Sequence, residues 1–225
     1  MMHWLKNTVG KKLVMGISGL MMVLFVVAHL LGNTAVFAGP DGINAYAAKL
    51  HELAPLVWSY RLVMIIMVSL HIFFGVQLTL ENYRAKPQTY AIRTSLSATF
   101  AGKSMIWTGI ILGVFIIYHL LQFTFQVTNP EIAAFSHLDA AGRPDVFMMV
   151  VLGFRKLSVS LLYMIALGAL FFHLSHGIQS FFQTFGLNNE RSLPVISQVG
   201  TVVAIILFIG YLSIPLVILM RIVKG

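Results

Sequence analysis

The chain has 225 residues, of which 58% are hydrophobic and only 10% are charged, and its mean hydropathy is +0.87. These values fit no class of soluble protein and indicate an integral membrane protein. The formal net charge of +8 suggests contacts with membrane lipid headgroups and no nucleic acid, because the basic residues are scattered between hydrophobic runs.

Five apolar runs are long enough to cross a bilayer as helices, since a hydrocarbon core of about 30 Å takes about 20 helical residues. The sequence therefore predicts an all-α protein, an integral membrane bundle of five transmembrane helices in a single domain. The predicted helices cover residues 13–36, 56–80, 104–126, 157–182 and 195–220.

The first run follows a basic segment, as the core of a signal peptide does, and Val36-Phe37-Ala38 could serve as its cleavage site. However, the run is about twice the length of a signal-peptide core and contains His29 and Asn33. We therefore expect a retained transmembrane helix.

The connections between the runs are short. Alanines and leucines between Asn44 and Leu53 predict a short helix at the membrane interface, ending before Pro55. The connection around Asn129-Pro130 and Gly142-Arg143-Pro144 is typical of a loop that could hold one short helix.

Basic residues indicate the orientation of the chain. About half of them lie before the first helix or between the second and third helices, which places the N-terminus in the cytoplasm and the chain in the cell inner membrane. The residues that carry this prediction are Lys6, Lys11, Lys12, Arg84, Lys86, Arg93 and Lys103. The bias is modest, since Arg143, Arg155 and Lys156 fall on the other side.

Histidines occur in four of the five predicted helices, although an ionisable side chain inside a bilayer is costly. They are His29, His71, His119, His173 and His176. A lone histidine in a transmembrane helix is most often an interhelical hydrogen-bonding group. One on each of four consecutive helices needs a shared reason, and axial ligation of haem b supplies it, because neutral imidazole binds iron.

The depths of the histidines predict how they pair, because successive helices alternate in direction. With the N-terminus inside, His29 and His119 are both displaced outward from the middle of their helices, by roughly 6 to 8 Å at about 1.5 Å per residue. His71 lies at or slightly inward of the middle of its helix, and His173 lies clearly inward. We therefore predict two bis-histidine haem sites, His29 with His119 outside and His71 with His173 inside.

Glycine spacing favours His173 over His176 as the ligand from the fourth helix. Gly75 and Gly177 follow His71 and His173 by four residues, so they share a helix face with them and would let a planar macrocycle approach. His176 would then bond a haem propionate or another helix. The alternative for such glycines is close helix packing, which we expect for most of Gly16, Gly19, Gly75, Gly109, Gly113 and Gly168.

The chain lacks the groups that other cofactors need. Without cysteine it can hold no disulfide, no iron–sulfur cluster and no covalently attached c-type haem. It also has no glycine-rich nucleotide-binding loop, so flavin or nicotinamide chemistry would lie on another polypeptide. We therefore expect a subunit with no catalytic residue of its own toward a soluble substrate.

In its motifs the chain resembles the cytochrome b membrane anchor of succinate:quinone oxidoreductases and quinol:fumarate reductases, in the single-anchor, two-haem class. The motifs are Gly10-Lys11-Lys12-x-x-Met15-x-x-Ser18-Gly19-Leu20, His29-Leu30-Leu31, His71-x-x-x-Gly75, His119, His173-x-x-x-Gly177 and Phe182-Gln183-Thr184-x-Gly186. The resemblance implies five helices, two haem b groups with this pairing, and a flavoprotein and an iron–sulfur subunit docked on the cytoplasmic side. As the substrate we expect a membrane quinone, with menaquinone favoured. Some members carry a glutamate for proton transfer where this chain has Phe171.

Four further residues are weaker candidates for binding sites. His51 and Glu52 could line an outer quinone site, since protons accompany quinone chemistry, or they could lie on a solvated helix face. Arg61 and Arg155 could pair with haem propionates or reach to lipid headgroups.

Two other functions remain open on the sequence alone. The first is a haem b subunit of another respiratory enzyme, of the hydrogenase or formate dehydrogenase type. The second is a proton-coupled transporter that uses the histidines as relays, for which we find no inverted repeat.

Overall fold

The computed structural model describes residues 7–85, 104–134 and 137–223. Within these ranges the chain is helical and forms no strand, apart from an isolated bridge between Leu138 and Pro144. Five helices there are long and apolar enough to cross a membrane. The prediction of an all-α bundle with five transmembrane helices is confirmed. The basic residues Lys6, Lys86, Arg93 and Lys103, on which the predicted orientation depends in part, lie outside the described residues.

Five helices are candidate membrane spans and two do not span. The spanning helices are α1 (Thr8–Asn33), α3 (Ala54–Arg84), α4 (Met105–His119, continued by a π-helical segment to Thr124), α6 (Leu157–Thr184) and α7 (Ser192–Leu219). The shorter helices are α2 (Gly39–Glu52), which contains most of the predicted interfacial segment, and α5 (Val146–Arg155).

The ends of the helices differ from the predicted ends by a few residues. α1 begins five residues before the predicted start at Leu13, because the Asn7 side chain accepts a hydrogen bond from the Gly10 amide at 2.7 Å and caps the first turn. The helix therefore includes Lys11, which hydropathy alone leaves out. Lys11 is buried and pairs with Glu81 near the end of α3.

α4 changes its winding directly after His119. Residues Leu120–Thr124 form a π-helical segment, so the predicted third helix ends two residues earlier than expected. Inserted π-turns are rare and occur frequently at functional sites. Here the wider turn accompanies the burial of Gln122 next to the histidine.

α6 is the central helix of the bundle, since it packs against α1, α4 and α7, while α1 also packs against α3. The Tyr211 hydroxyl of α7 donates to the Val26 carbonyl of α1 at 2.7 Å. Large apolar side chains on the outward faces remain exposed, among them Leu24, Ile65 and Ile206. Such a surface is costly in water and suited to lipid.

A cap covers one end of the bundle, the end at which α1 finishes and α3 starts. It consists of a 3-10 helical turn (Thr34–Ala38), α2, α5 and the loop before α5. Its apolar side chains form the largest core cluster with residues of α6 and α7, including Val36, Ile43, Val151, Val159 and Ile218. Phe115 and Tyr118 of α4 pack against this cluster, so the cap lies at the end of the bundle that holds His119.

Candidate functional site

The structure brings the four predicted ligand histidines together in two pairs. The rings of His29 and His119 have their centroids 5.8 Å apart, and the rings of His71 and His173 have theirs 6.2 Å apart. We call His29 with His119 the first pair and His71 with His173 the second pair. Each pair joins two helices that are distant in sequence.

Contacts along α1 place the two pairs at different depths. Ser18 contacts the second pair, because its hydroxyl lies 3.3 Å from His71 Nδ1. His29 follows Ser18 by eleven residues on the same helix, which corresponds to a rise of about 16 Å.

Contacts along α4 and α6 give the same separation. On α4, Thr108 Oγ1 lies 3.1 Å from His173 Nδ1, and His119 follows Thr108 by eleven residues. On α6, the Tyr163 hydroxyl lies 3.1 Å from His119 Nδ1, and His173 follows Tyr163 by ten residues. Since each residue rises about 1.5 Å, the pairs lie at two levels roughly 15 to 16 Å apart.

Hydrogen bonds fix which nitrogen of His71 carries the proton. Its Nδ1 lies 3.1 Å from the Met15 carbonyl oxygen, which can only accept. Ser18 Oγ, at 3.3 Å, already donates to the Val14 carbonyl at 2.8 Å or to that of Met15 at 3.0 Å. His71 Nδ1–H is therefore the donor, and Nε2 keeps its lone pair for a metal.

His173 has the same arrangement. Its Nδ1 lies 3.1 Å from Thr108 Oγ1, whose own proton lies within reach of the Ser104 and Met105 carbonyls, both at 3.1 Å. Thr108 Oγ1 therefore accepts a hydrogen bond from His173 Nδ1–H. Nε2 of His173 is left with a lone pair.

His119 donates to a phenol instead. The Tyr163 hydroxyl donates to Gln122 Oε1 at 3.0 Å, so it accepts from His119 Nδ1–H at 3.1 Å. The fourth histidine, His29, stacks on the ring of Phe25 with centroids 5.1 Å apart and an interplanar angle of 20°. Three of the four imidazoles are thus set in the tautomer that presents Nε2.

Glycines leave room beside the second pair. A Cβ added at Gly177 would meet no heavy atom within 4 Å, and one at Gly75 would meet only Met15 Sδ, at 3.9 Å. These two glycines do not serve close helix packing, unlike Gly16, where a Cβ would lie 2.9 Å from the Phe185 ring. The space beside Gly177 and Gly75 could admit a flat ligand.

The pairs could supply axial ligands to iron. In residues 7–85, 104–134 and 137–223 no group of three or more His, Cys, Asp or Glu side chains could hold a metal ion. A haem iron needs only one or two protein ligands, because the macrocycle supplies the others. Two histidines on opposite helices are a sufficient set.

A comparison with known families finds one similarity, which covers the C-terminal half of the bundle. The family described as succinate dehydrogenase/fumarate reductase transmembrane subunit matches residues 103–210, slightly less than half of the chain. Over these residues the chain is similar to this family. No curated protein and no solved structure matches the chain. The match includes His119, Tyr163 and His173, whereas His29 and His71 lie before it.

His176 belongs to neither of the two pairs. His176 lies three residues after His173 on α6, and its buried Nδ1 has no hydrogen-bond partner in the part of the chain that the structure describes. The structure thus places His173 opposite His71 and leaves a polar atom of His176 for another group.

The four weaker candidates for binding sites lie on the surface of the bundle. His51 and Glu52 are exposed at the end of α2, where Glu52 pairs with Lys49 at 2.7 Å. The Arg61 guanidinium lies 5.0 Å from the centre of the exposed Trp58 ring, an arrangement typical of the membrane interface. Arg155 is exposed at the end of α5.

Sequence reasoning missed the roles of Ser18, Thr108 and Tyr163, which contact three of the four histidines. Serine and threonine in helices commonly bond their own backbone, so their residue type alone predicts no contact with histidine. The signal that could have found two of them is their common distance of eleven residues before His29 and His119.

Proposed function

We propose that this chain is the dihaem cytochrome b membrane anchor of a succinate:quinone oxidoreductase or quinol:fumarate reductase. It would carry electrons between an iron–sulfur partner subunit and a membrane quinone of the menaquinone type. The observation that carries the proposal is the presence of two histidine pairs at separate levels. At a metal–nitrogen distance of about 2 Å, two imidazoles on one metal have their ring centroids roughly 6 Å apart. Both observed distances, 5.8 and 6.2 Å, fit this value.

The residues of the chain prepare these sites for haem b. His29 and His119 would hold one group, and His71 and His173 the other, each through Nε2. The hydroxyls of Ser18, Thr108 and Tyr163 orient the rings, while Gly75 and Gly177 leave space for the macrocycle. When bound, haem b supplies one-electron redox chemistry.

The partners follow from the chemistry that the chain lacks. It has no cysteine for an iron–sulfur cluster and no flavin-binding loop, so a flavoprotein subunit and an iron–sulfur subunit would supply both. The family match supports this assembly over one of the hydrogenase or formate dehydrogenase type.

The orientation belongs to the same proposal. The basic N-terminal segment and the α3–α4 connection support a cytoplasmic N-terminus in the cell inner membrane. The second pair then lies nearer the cytoplasm and the soluble partners, and the first pair lies under the cap on the outer side. His51 and Glu52, at the outer interface, remain candidates for contact with quinone.

An optical spectrum with a haem count tests the proposal. The full chain is purified in detergent with any partners that remain bound, and a reduced-minus-oxidised spectrum is combined with a pyridine haemochrome assay. Two b-type haems for each chain are expected. A preparation with no haem would overturn the proposal and favour a histidine relay in a transporter.

A further inference from the structure

The helices α1 and α4 carry the same short pattern at the level of the second pair. Residues 15–19 read Met-Gly-Ile-Ser-Gly and residues 105–109 read Met-Ile-Trp-Thr-Gly, so both follow Met-x-x-(Ser/Thr)-Gly. In each helix a histidine of the first pair follows the glycine by ten residues. The two copies therefore occupy corresponding depths in two helices that run in the same direction.

Each copy contacts one histidine of the second pair through its hydroxyl. Ser18 is fully buried and Thr108 is 7% exposed, although both lie in helices whose outward faces are apolar. Their oxygens lie 3.3 Å from His71 Nδ1 and 3.1 Å from His173 Nδ1.

Each copy also places a backbone carbonyl acceptor and a glycine, which has no side chain, next to the same imidazole ring. Met15 accepts from His71 at 3.1 Å, and Met105 makes a backbone hydrogen bond with His173. A Cβ at Gly19 would lie 3.2 Å from His71 Cε1, and one at Gly109 would lie 3.6 Å from His173 Cε1. The pattern thus forms a cradle for an imidazole edge.

We propose that Ser18 and Thr108 are positioning residues that tune the haem held by the second pair, a role that rests on the proposed function. An acceptor at Nδ1–H makes the imidazole a stronger electron donor. Stronger donation stabilises ferric over ferrous iron, so the hydroxyls lower the midpoint potential of this haem.

The first pair lacks this cradle, which confines the effect to one site. His119 donates to the Tyr163 phenol, and the His29 ring stacks on Phe25. The midpoint potential of a haem at the first pair should therefore not depend on Ser18 or Thr108.

Removal of each hydroxyl tests the proposal in the full chain, kept in its membrane complex. The variants are Ser18→Ala, Thr108→Val and the two combined. Ser18→Thr and Thr108→Ser keep the hydroxyl and should keep the midpoint potential of the unmodified protein. Thr201→Val on α7 is the matched control, because Thr201 bonds its own Ser197 carbonyl. The measurements are haem content and a redox titration that resolves the two haems.

We expect two haems for each chain in the alanine and valine variants, because the backbone acceptors still hold the rings. The midpoint potential of one haem should rise in each single variant and rise further in the double variant. Loss of one haem in Ser18→Ala that Ser18→Thr reverses would also support the role. Unchanged potentials, or equal shifts of both haems, would overturn it. An unmodified chain without haem would overturn the proposed function itself.

Discussion

The tautomer of three histidine rings in this bundle depends on the hydrogen bond that the neighbouring hydroxyl donates elsewhere. The hydroxyls of Ser18 and Thr108 bond backbone carbonyls, and the Tyr163 phenol bonds Gln122. All three can therefore only accept from a histidine Nδ1–H. A hydroxyl left free could donate instead and would reverse the tautomer.

The sequence indicated which histidines lie inside the bundle, but not which side chains contact them. A histidine inside an apolar run stands out because of its cost in a bilayer, and this is why His29, His71, His119 and His173 were found. Tyr163 does not stand out, since tyrosine is common near membrane interfaces. Its contact with His119 depends on tertiary packing of α4 against α6.

A residue-scale prediction concerns the space beside the second pair. Gly177→Leu should fill the open position one turn after His173 and exclude one haem, because both residues share a face of α6. The haemochrome assay should fall from two haems for each chain to one.

Ser175→Leu provides the matched control for Gly177→Leu. Ser175 lies two residues from both His173 and Gly177, at roughly 200° around the helix, so it faces away from the pair and should leave two haems. Two haems retained in Gly177→Leu would show that the macrocycle does not use this space.

At the scale of elements, one buried polar side chain ties α2 to the rest of the cap. Asn44 is fully buried, accepts from the Phe147 amide at 2.8 Å, and donates within 3.2 Å of Asp139 and Asp145. Hydropathy predicted the short helix but not this contact, because the partners of Asn44 lie about a hundred residues further along the chain.

Replacement of this side chain should loosen the cap. Asn44→Ala leaves the buried Phe147 amide without its acceptor and removes one donor each from Asp139 and Asp145. Loss of a partner for a buried group costs about 1 to 3 kcal/mol. We expect the thermal unfolding midpoint in detergent, followed by circular dichroism, to fall by several degrees.

Lys49→Ala is the control for that measurement. Its exposed ammonium pairs with Glu52 on the same helix, and such surface pairs contribute about 0 to 1 kcal/mol. If Asn44→Ala lowers the midpoint no more than Lys49→Ala does, Asn44 is not the residue that holds the cap.

The loop of the cap contains a carboxyl with a shifted pKa. Burial alone would raise the pKa of Asp139, but hydrogen bonds from the Arg143 backbone and guanidinium and from Asn44 and Ala141 outweigh it. They lower the pKa from its usual value of 3.8 to about 2. The unfolded chain therefore takes up this proton at higher pH than the folded chain.

The sign of this shift predicts how the cap responds to acid. The stabilisation by Asp139 is present above pH 4 and is lost as the pH falls toward 2. We expect the unfolding midpoint to fall between pH 5 and 2.5, and to fall less in Asp139→Asn. Glu190→Gln, which changes an exposed carboxyl in the α6–α7 connection, is the control. An equal fall in all three proteins would contradict the assignment.

At the scale of the whole molecule, the two levels of the histidine pairs follow from the alternation of helix direction across the membrane. This rule allowed the pairing to be predicted from sequence positions, since depth in a straight helix depends only on residue number. It could not predict which faces meet, because nearly uniform hydrophobicity hides the inward face of a transmembrane helix. The cradle residues and the cap contacts therefore became visible only in the structure.

Single substitutions of the histidines give the most direct test of the central claim that the chain holds two haems between two histidine pairs. Alanine is placed in turn at His29, His119, His71, His173 and His176, and each full-length protein is titrated by redox potentiometry with a haem count. Substitution of either member of a pair should remove or perturb the same haem, a different one for each pair. His176→Ala should retain both. Loss of the same haem from His29→Ala and His71→Ala, with His119→Ala unaffected, would contradict the pairing.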